Sequence, residues 1–218
     1  MLARLTFIAA LAFAPMAMAQ DAAPTASPEE IAAASARADR IIADAGAQGV
    51  FVNKTESAVA QVEHVASGMR CLMGENPANR IHIFPTAGMG IPRGDDVACI
   101  TRDEAVDIDL TIYATRYPDG MTTDGIMGGA VNGIRQRWPD ALPYQGELTS
   151  ATVEGLTPPA SAAFKIRLDG QDKLTMAIGA QEGAWSFKIR ITGPYAEAMA
   201  VSLYGSISMA HVQMGLKD

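Results

Sequence analysis

Residues 162–192 read AAFKIRLDGQDKLTMAIGAQEGAWSFKIRIT, and their periodicity decides the fold class. Three runs alternate with a period of two, the side-chain period of a β-strand. Phe164, Ile166 and Leu168 alternate with Lys165 and Arg167. Leu174, Met176 and Ile178 alternate with Thr175, Ala177 and Gly179. Trp185, Phe187, Ile189 and Ile191 alternate with Ser186, Lys188, Arg190 and Thr192. Asp169-Gly170 and Glu182-Gly183 separate the runs as hairpin turns. The reading predicts an antiparallel meander with one apolar face on a core and one polar face outward.

Upstream, residues 106–117 form a further strand. Val106, Ile108, Leu110 and Ile112 fall on one side, and Asp107, Asp109, Thr111 and Tyr113 on the other. Shorter β-like segments occur at 60–73, 80–85 and 97–102, and a less regular one at 147–154. A helix is predicted over 123–138, where Met127, Val131, Ile134 and Trp138 make one stripe. Gly125, Gly128, Gly129 and Gly133 weaken it by up to about 1 kcal/mol each relative to Ala, so it needs close packing on a sheet. Gly193-Pro194 opens the last helix, in which Tyr195, Met199, Leu203, Ala210 and Met214 share one face. Near the start, Ser27-Pro28-Glu29-Glu30 spells a capping box. It opens an Ala-rich helix over 28–46, with Ile31, Ala34, Ala38, Ile41 and Ala45 at helical spacing.

This order is that of an α+β fold: an antiparallel β-sheet with packed helices, including a C-terminal helix, plus the N-terminal Ala-rich helix. Residues 50–218 read as a single domain. The meander at 162–192 followed by a helix at 194–214 resembles the PsbP-like α/β sandwich of exported extrinsic proteins. The resemblance covers element order over residues 100–214. It implies a non-catalytic auxiliary or binding role and transfers no site residues.

The chain of 218 residues begins MLARLTFIAALAFAPMAMAQ. Arg4, an apolar stretch from Leu5 to Ala14 and the small-x-small site Ala17-Met18-Ala19 are the parts of a secretory signal peptide, residues 1–19. Cleavage after Ala19 removes Arg4 and takes the net charge from −7 to −8. Residues 20–27 read as a flexible linker. The expected location is a bacterial periplasm, with no stable membrane span after cleavage. An acidic balance, with pI about 4.9, argues against a nucleic-acid partner. In an oxidising compartment Cys71 and Cys99 are expected to form a disulfide.

The sequence contains no G-x-S-x-G, H-E-x-x-H, P-loop or C-x-x-C motif. Gly88-Met89-Gly90-Ile91-Pro92-Arg93-Gly94 has the wrong spacing for a dinucleotide loop. No cofactor, catalytic residue or metal site is expected. The expected function is a secreted or periplasmic non-catalytic binding or auxiliary module for an unknown protein or a small anionic ligand in the envelope. Lys165 and Arg167 on one strand, with Lys188 and Arg190 two strands away, would wall a groove about 10 Å wide, suited to a phosphate, a sugar acid or an acidic segment. One alternative is a small exported hydrolase with a dispersed site, for instance Ser67 with His64 or His82. Another is an envelope copper protein using Met69, Cys71 and Met73, since soft sulfur ligands select Cu(I). The acids between Asp95 and Asp109 read chiefly as a solvated face, with Ca²⁺ as the sharper option.

Overall fold

The computed structural model describes residues 26–86, 91–117 and 120–217. The signal peptide, most of the linker, residues 88–90 of the glycine-rich loop and the Pro118-Asp119 turn lie outside the described residues. The first helix, α1 (Pro28–Asp44), starts as the capping box requires. Ser27 Oγ accepts from the Glu30 backbone N–H at 3.2 Å, and the Glu30 carboxylate accepts from Ser27 N–H at 2.7 Å.

A small antiparallel sheet follows, β1 (Phe51–Asn53), β2 (Ala60–His64) and β3 (Arg70–Met73). The remaining strands are β4 (Arg80–Ile83), β5 (Asp96–Asp103), β6 (Ile108–Arg116), β7 (Leu142–Pro143), β8 (Ala160–Leu168), β9 (Gln171–Glu182) and β10 (Trp185–Pro194). They form one seven-stranded sheet in the order β4-β5-β6-β10-β9-β8-β7, every pairing antiparallel. Helix α2 (Thr123–Arg137) lies between β6 and β7 in the chain, and α3 (Ala198–Gly215) follows a 3₁₀ turn after β10. The α+β class read from the sequence is the one observed. Among the described residues no helix is long and apolar enough to cross a membrane.

The two faces of the large sheet carry different loads. One cross-strand row, Ile81–Cys99–Ile112–Ile189–Ile178, belongs to the main core with the small sheet, α1 and α3. Ala34, Ala38 and Ile42 of α1 are part of that core. The Cys71–Cys99 disulfide ties β3 to β5 within it. The opposite face carries the row His82–Ala98–Tyr113–Lys188–Gly179. Helix α2 covers only one end of that face, where Met127 and Ile134 pack on Phe164, Ile166 and Ala177. Gly179 permits this approach, because a Cβ there would meet Ile126 Cγ2 and Met127 Sδ at 3.0 Å.

Two expectations need correcting. The meander has apolar side chains on both faces, not one. Asp169-Gly170 is a two-residue turn with both φ angles positive, 50° and 77°, so Leu168 pairs with Gln171. Even-numbered residues of β8 therefore share a face with odd-numbered residues of β9. Second, residues 147–154 are not a strand. Their backbone is satisfied by α3 instead: Thr149 N–H donates to Ser202 Oγ at 2.8 Å, and Ser206 Oγ donates to Thr149 O. Met199, Leu203 and Met214 of α3 do share one face, and that face is outward. Met199, Leu203, Ile207 and Met214 are exposed, while Val201, Gly205, Met209 and Val212 are buried. The small residues let the helix approach the sheet closely; a Cβ at Gly205 would lie 3.1 Å from Ile178 Cδ1 and Ile191 Cγ2.

Candidate functional site

The turn that sets the β8–β9 register also decides which cations meet. Lys165 pairs across to Leu174, and Arg167 to Asp172. Lys188 pairs to Gly179 and Arg190 to Ala177. Lys165 and Arg167 therefore stand on the sheet face opposite Lys188 and Arg190, and the groove expected between the two pairs does not form. Lys165 Nζ instead bonds Asp172 at 2.7 Å and sits 4.8 Å from the Tyr195 ring centroid. Arg167 shares the same carboxylate at 3.4 Å. The Lys165 hydrogen bond, aided by both positive charges, holds the Asp172 carboxyl below the usual carboxylate range.

Lys188 and Arg190 remain together, two residues apart on β10 and therefore on one face. Lys188 Nζ lies 4.4 Å from the Tyr113 ring centroid, and the Arg190 guanidinium 5.6 Å from that of Trp138. Cations prefer such ring faces. Neither makes a salt bridge among the described residues, and Arg190 Nε and Nη2 are buried without a hydrogen-bond partner. Burial pushes the Lys188 amine down from its ordinary range, with the neighbouring Arg190 charge adding to the effect. Arg190 is likewise lowered, by burial first, while Arg137 adds repulsion.

A cavity of about 80 Å³ adjoins these groups, lined by Tyr113, Gly129, Ala130, Gly133, Ala177, Lys188 and Arg190. Helix α2 contributes Gly129, Ala130 and Gly133 to its lining. A Cβ at Gly129 or Gly133 would meet nothing within 4 Å. Asp96, held by the Thr115 hydroxyl at 2.8 Å, is the acid on this face whose charge reaches Lys188. Burial raises the Asp96 carboxyl above its ordinary range. Two half-buried cations beside a cavity of this size suit a single anionic group such as a carboxylate or phosphate. The sequence signal was present in Lys188 and Arg190. The contributions of Tyr113, Trp138 and the α2 glycines needed the tertiary structure.

A second concavity was not foreseen. A groove runs between α3 and β3 over the floor of β5 and β6. Its two parts, about 590 and 510 Å³, share Leu72, Thr101, Leu110 and Tyr204. The 510 Å³ part is mainly apolar, with Ile112, Ile207 and Met214 in its lining.

The other candidates are placed as follows. Ser67 Oγ and His64 Nδ1 are 2.8 Å apart. His64 is 1% exposed, lies between the Phe51 and Trp185 rings, and has its pKa lowered to about 4, chiefly by burial. His82 is on the opposite face of the sheet, packed edge-on against Phe84 at 4.4 Å. Met69, just before β3, and Cys71 and Met73 within it are all buried, but Cys71 is consumed by the disulfide, so the thiolate required of a copper site is absent. Arg102 bonds both Asp107 and Asp109, and Lys173 also bonds Asp107. These acids are paired to cations on neighbouring strands. Among the described residues no group of three or more His, Cys, Asp or Glu is placed to hold a metal ion.

No family model and no curated protein matches the chain. Two solved structures share weak similarity. LpqN of Mycobacterium tuberculosis, described as involved in cell envelope biogenesis, is 10% identical, covers 65% of this chain and 85% of its own, and has a TM-score of 0.31. CalU16 of Micromonospora echinospora is 12% identical, with coverages of 56% and 84% and a TM-score of 0.24. Neither is described as PsbP-like, and likenesses at these scores carry no argument about function.

Proposed function

We propose that the chain is an exported, non-catalytic binding module of the periplasm whose ligand presents a carboxylate or phosphate to Lys188 and Arg190 beneath α2. The observation that carries this reading is the pair of buried, unpartnered guanidinium N–H groups on Arg190 beside Lys188. A buried charged donor left without an acceptor costs free energy that an anion would return. The signal-like N-terminus and the disulfide support an oxidising, extracytoplasmic setting. Calorimetric titration with inorganic phosphate and with acetate tests the site. Arg190→Ala is expected to weaken the bound anion roughly 10- to 100-fold, the loss of one to two charge-assisted hydrogen bonds. Lys165→Ala, on the other face, is expected to leave binding unchanged. Absence of binding by either anion, or equal binding by the Arg190 variant, overturns the proposal.

One observation favours a second reading, a small hydrolase: the hydrogen bond between Ser67 and His64. The Gly94 backbone and the Asp95 charge act on the His64 ring against the effect of burial. Ser67 Oγ also accepts from Met69 N–H at 3.2 Å, the pattern of a turn within the β2–β3 hairpin. Covalent labelling of Ser67 by a fluorophosphonate probe would support the hydrolase; an unlabelled Ser67 removes it.

A further inference from the structure

The cleft beneath α2 gathers positive charge in a chain that carries −7 overall. Arg137, in the last turn of α2, stands 4.9 Å from the Trp138 ring centroid, and Arg190 stands 5.6 Å from the same centroid. The two guanidiniums are close enough for Arg137 to repel Arg190. Lys188 is the third cation, 4.4 Å from the Tyr113 ring centroid. Elsewhere on the large sheet carboxylates hold the cations: Asp172 holds Lys165, and Asp107 and Asp109 hold Arg102. Among the described residues Arg137, Lys188 and Arg190 have no such partner. An aromatic face holds a cation in place without cancelling its charge, and it leaves the N–H edge of a guanidinium free. Asp96 is the acid whose charge reaches Lys188, so the cluster keeps two positive charges uncompensated.

We propose that the cleft takes a phosphomonoester in its doubly charged form, with Arg137 supplying the selectivity for the second charge. This inference rests on the reading of the cleft as an anion site and narrows it. A carboxylate, a sulfate ester and a phosphodiester each bring one negative charge. A phosphomonoester brings about −1.5 to −2 near pH 7, with three strong acceptor oxygens. Two uncompensated positive charges complement that head group. Arg190 Nε and Nη2 are buried without a partner, and a guanidinium fork presents two N–H groups to two oxygens of one phosphate. Lys188 lines the same cavity as a point charge that can meet the third oxygen. Arg137 does not line the cavity; it is exposed beside Trp138 and acts through its field. The energy of a charge in a field scales with that charge, so Arg137 favours a dianion over a monoanion. Arg137 also complements the negative end of the α2 dipole, a structural role that the test separates from selectivity.

Calorimetric titration with methyl phosphate, methanesulfonate and acetate, at neutral pH and fixed ionic strength, tests the proposal. Methyl phosphate is expected to bind roughly 10-fold more tightly than either monoanion, the worth of one further charge-assisted contact. Arg137→Gln is expected to cut that preference about threefold, the scale of an exposed charge. A variant that loses melting temperature but keeps the wild-type preference shows Arg137 serving only the end of α2, and overturns the inference. Flotation with vesicles carrying phosphatidate, against vesicles carrying phosphatidylglycerol, tells the sources of the group apart. Arg190-dependent flotation with phosphatidate alone places the phosphomonoester on a lipid; methyl phosphate binding without flotation places it on a soluble molecule. Equal binding of the three anions by the wild type overturns this inference and leaves the cleft as an anion site. Binding of none of them, in solution or on vesicles, overturns both.

Discussion

Replacing Gly129 and Gly133 of α2 by alanine should make the protein more stable and less able to bind. Glycine within a helix costs about 0.8–1 kcal/mol relative to Ala. Both positions lie inside Thr123–Arg137, and an added Cβ meets nothing within 4 Å at either. Each substitution should therefore recover most of that difference, raising the melting temperature by about 2–4 °C for a chain of this size. Both glycines, however, also line the 80 Å³ cavity beside Lys188 and Arg190. A methyl group takes up about as much room as a water, ~30 Å³. Two methyls on its rim therefore narrow the space left for an anion. The assay pairs thermal unfolding by circular dichroism with calorimetric phosphate titration on the double variant. Gly128→Ala is the control: it is also free of contacts within 4 Å but does not line the cavity, so it should stabilise without touching affinity. Higher stability with phosphate affinity within twofold of wild type would refute the assignment of this cavity as the anion site. A lower melting temperature would refute the claim that the space is open.

Other consequences can be checked directly. Anion affinity should fall as pH rises through the Lys188 pKa, which burial and Arg190 place below the ordinary 10.5; Lys188→Arg should hold affinity flat across that range with sulfate as ligand, and a parallel fall in both proteins refutes the role of Lys188. His64 titrates near 4 in the fold against 6.5 in a free chain, so the unfolded state binds the extra proton and stability is lost as pH falls from about 6.5 to about 4. The loss is on the order of 3 kcal/mol; denaturant unfolding of wild type and His64→Gln should diverge across that window, and a difference independent of pH contradicts the reasoning. Removing the disulfide by Cys71→Ala with Cys99→Ala opens a loop of sequence separation 28 and should cost about 3.5 kcal/mol. A measured cost below about 1 kcal/mol would show that loop closure is not what the bridge contributes.

Much of the architecture was legible because it depends on local periodicity. The alternations at 162–192, the Ser27–Glu30 capping box and the stripe of α2 are each set by neighbours a few residues apart, and each element formed near its expected bounds. The cation groove failed on register, which was itself partly readable. A two-residue Asp169-Gly170 turn pairs odd with even positions, so Lys165 had to point away from Arg190 once that turn was recognised. What misled the reading was the assumption that the apolar side of every strand serves the same core; Phe164 and Ile166 serve the one beneath α2.

The outward ridge of α3 was beyond periodicity alone. Neither of its faces carries a charge, and the fit of Gly205 against Ile178 and Ile191 marks the inner one. The amino-acid order by itself determined the strands, the helices, their class and the chemistry available on each strand face, because these follow from spacing along the chain. Only the tertiary structure decided which cations share a surface, that α2 leaves a void over Arg190, and which side of α3 is left uncovered. Those outcomes depend on contacts between residues far apart in sequence, where the volume of a side chain and the length of a turn choose among arrangements of equal local merit.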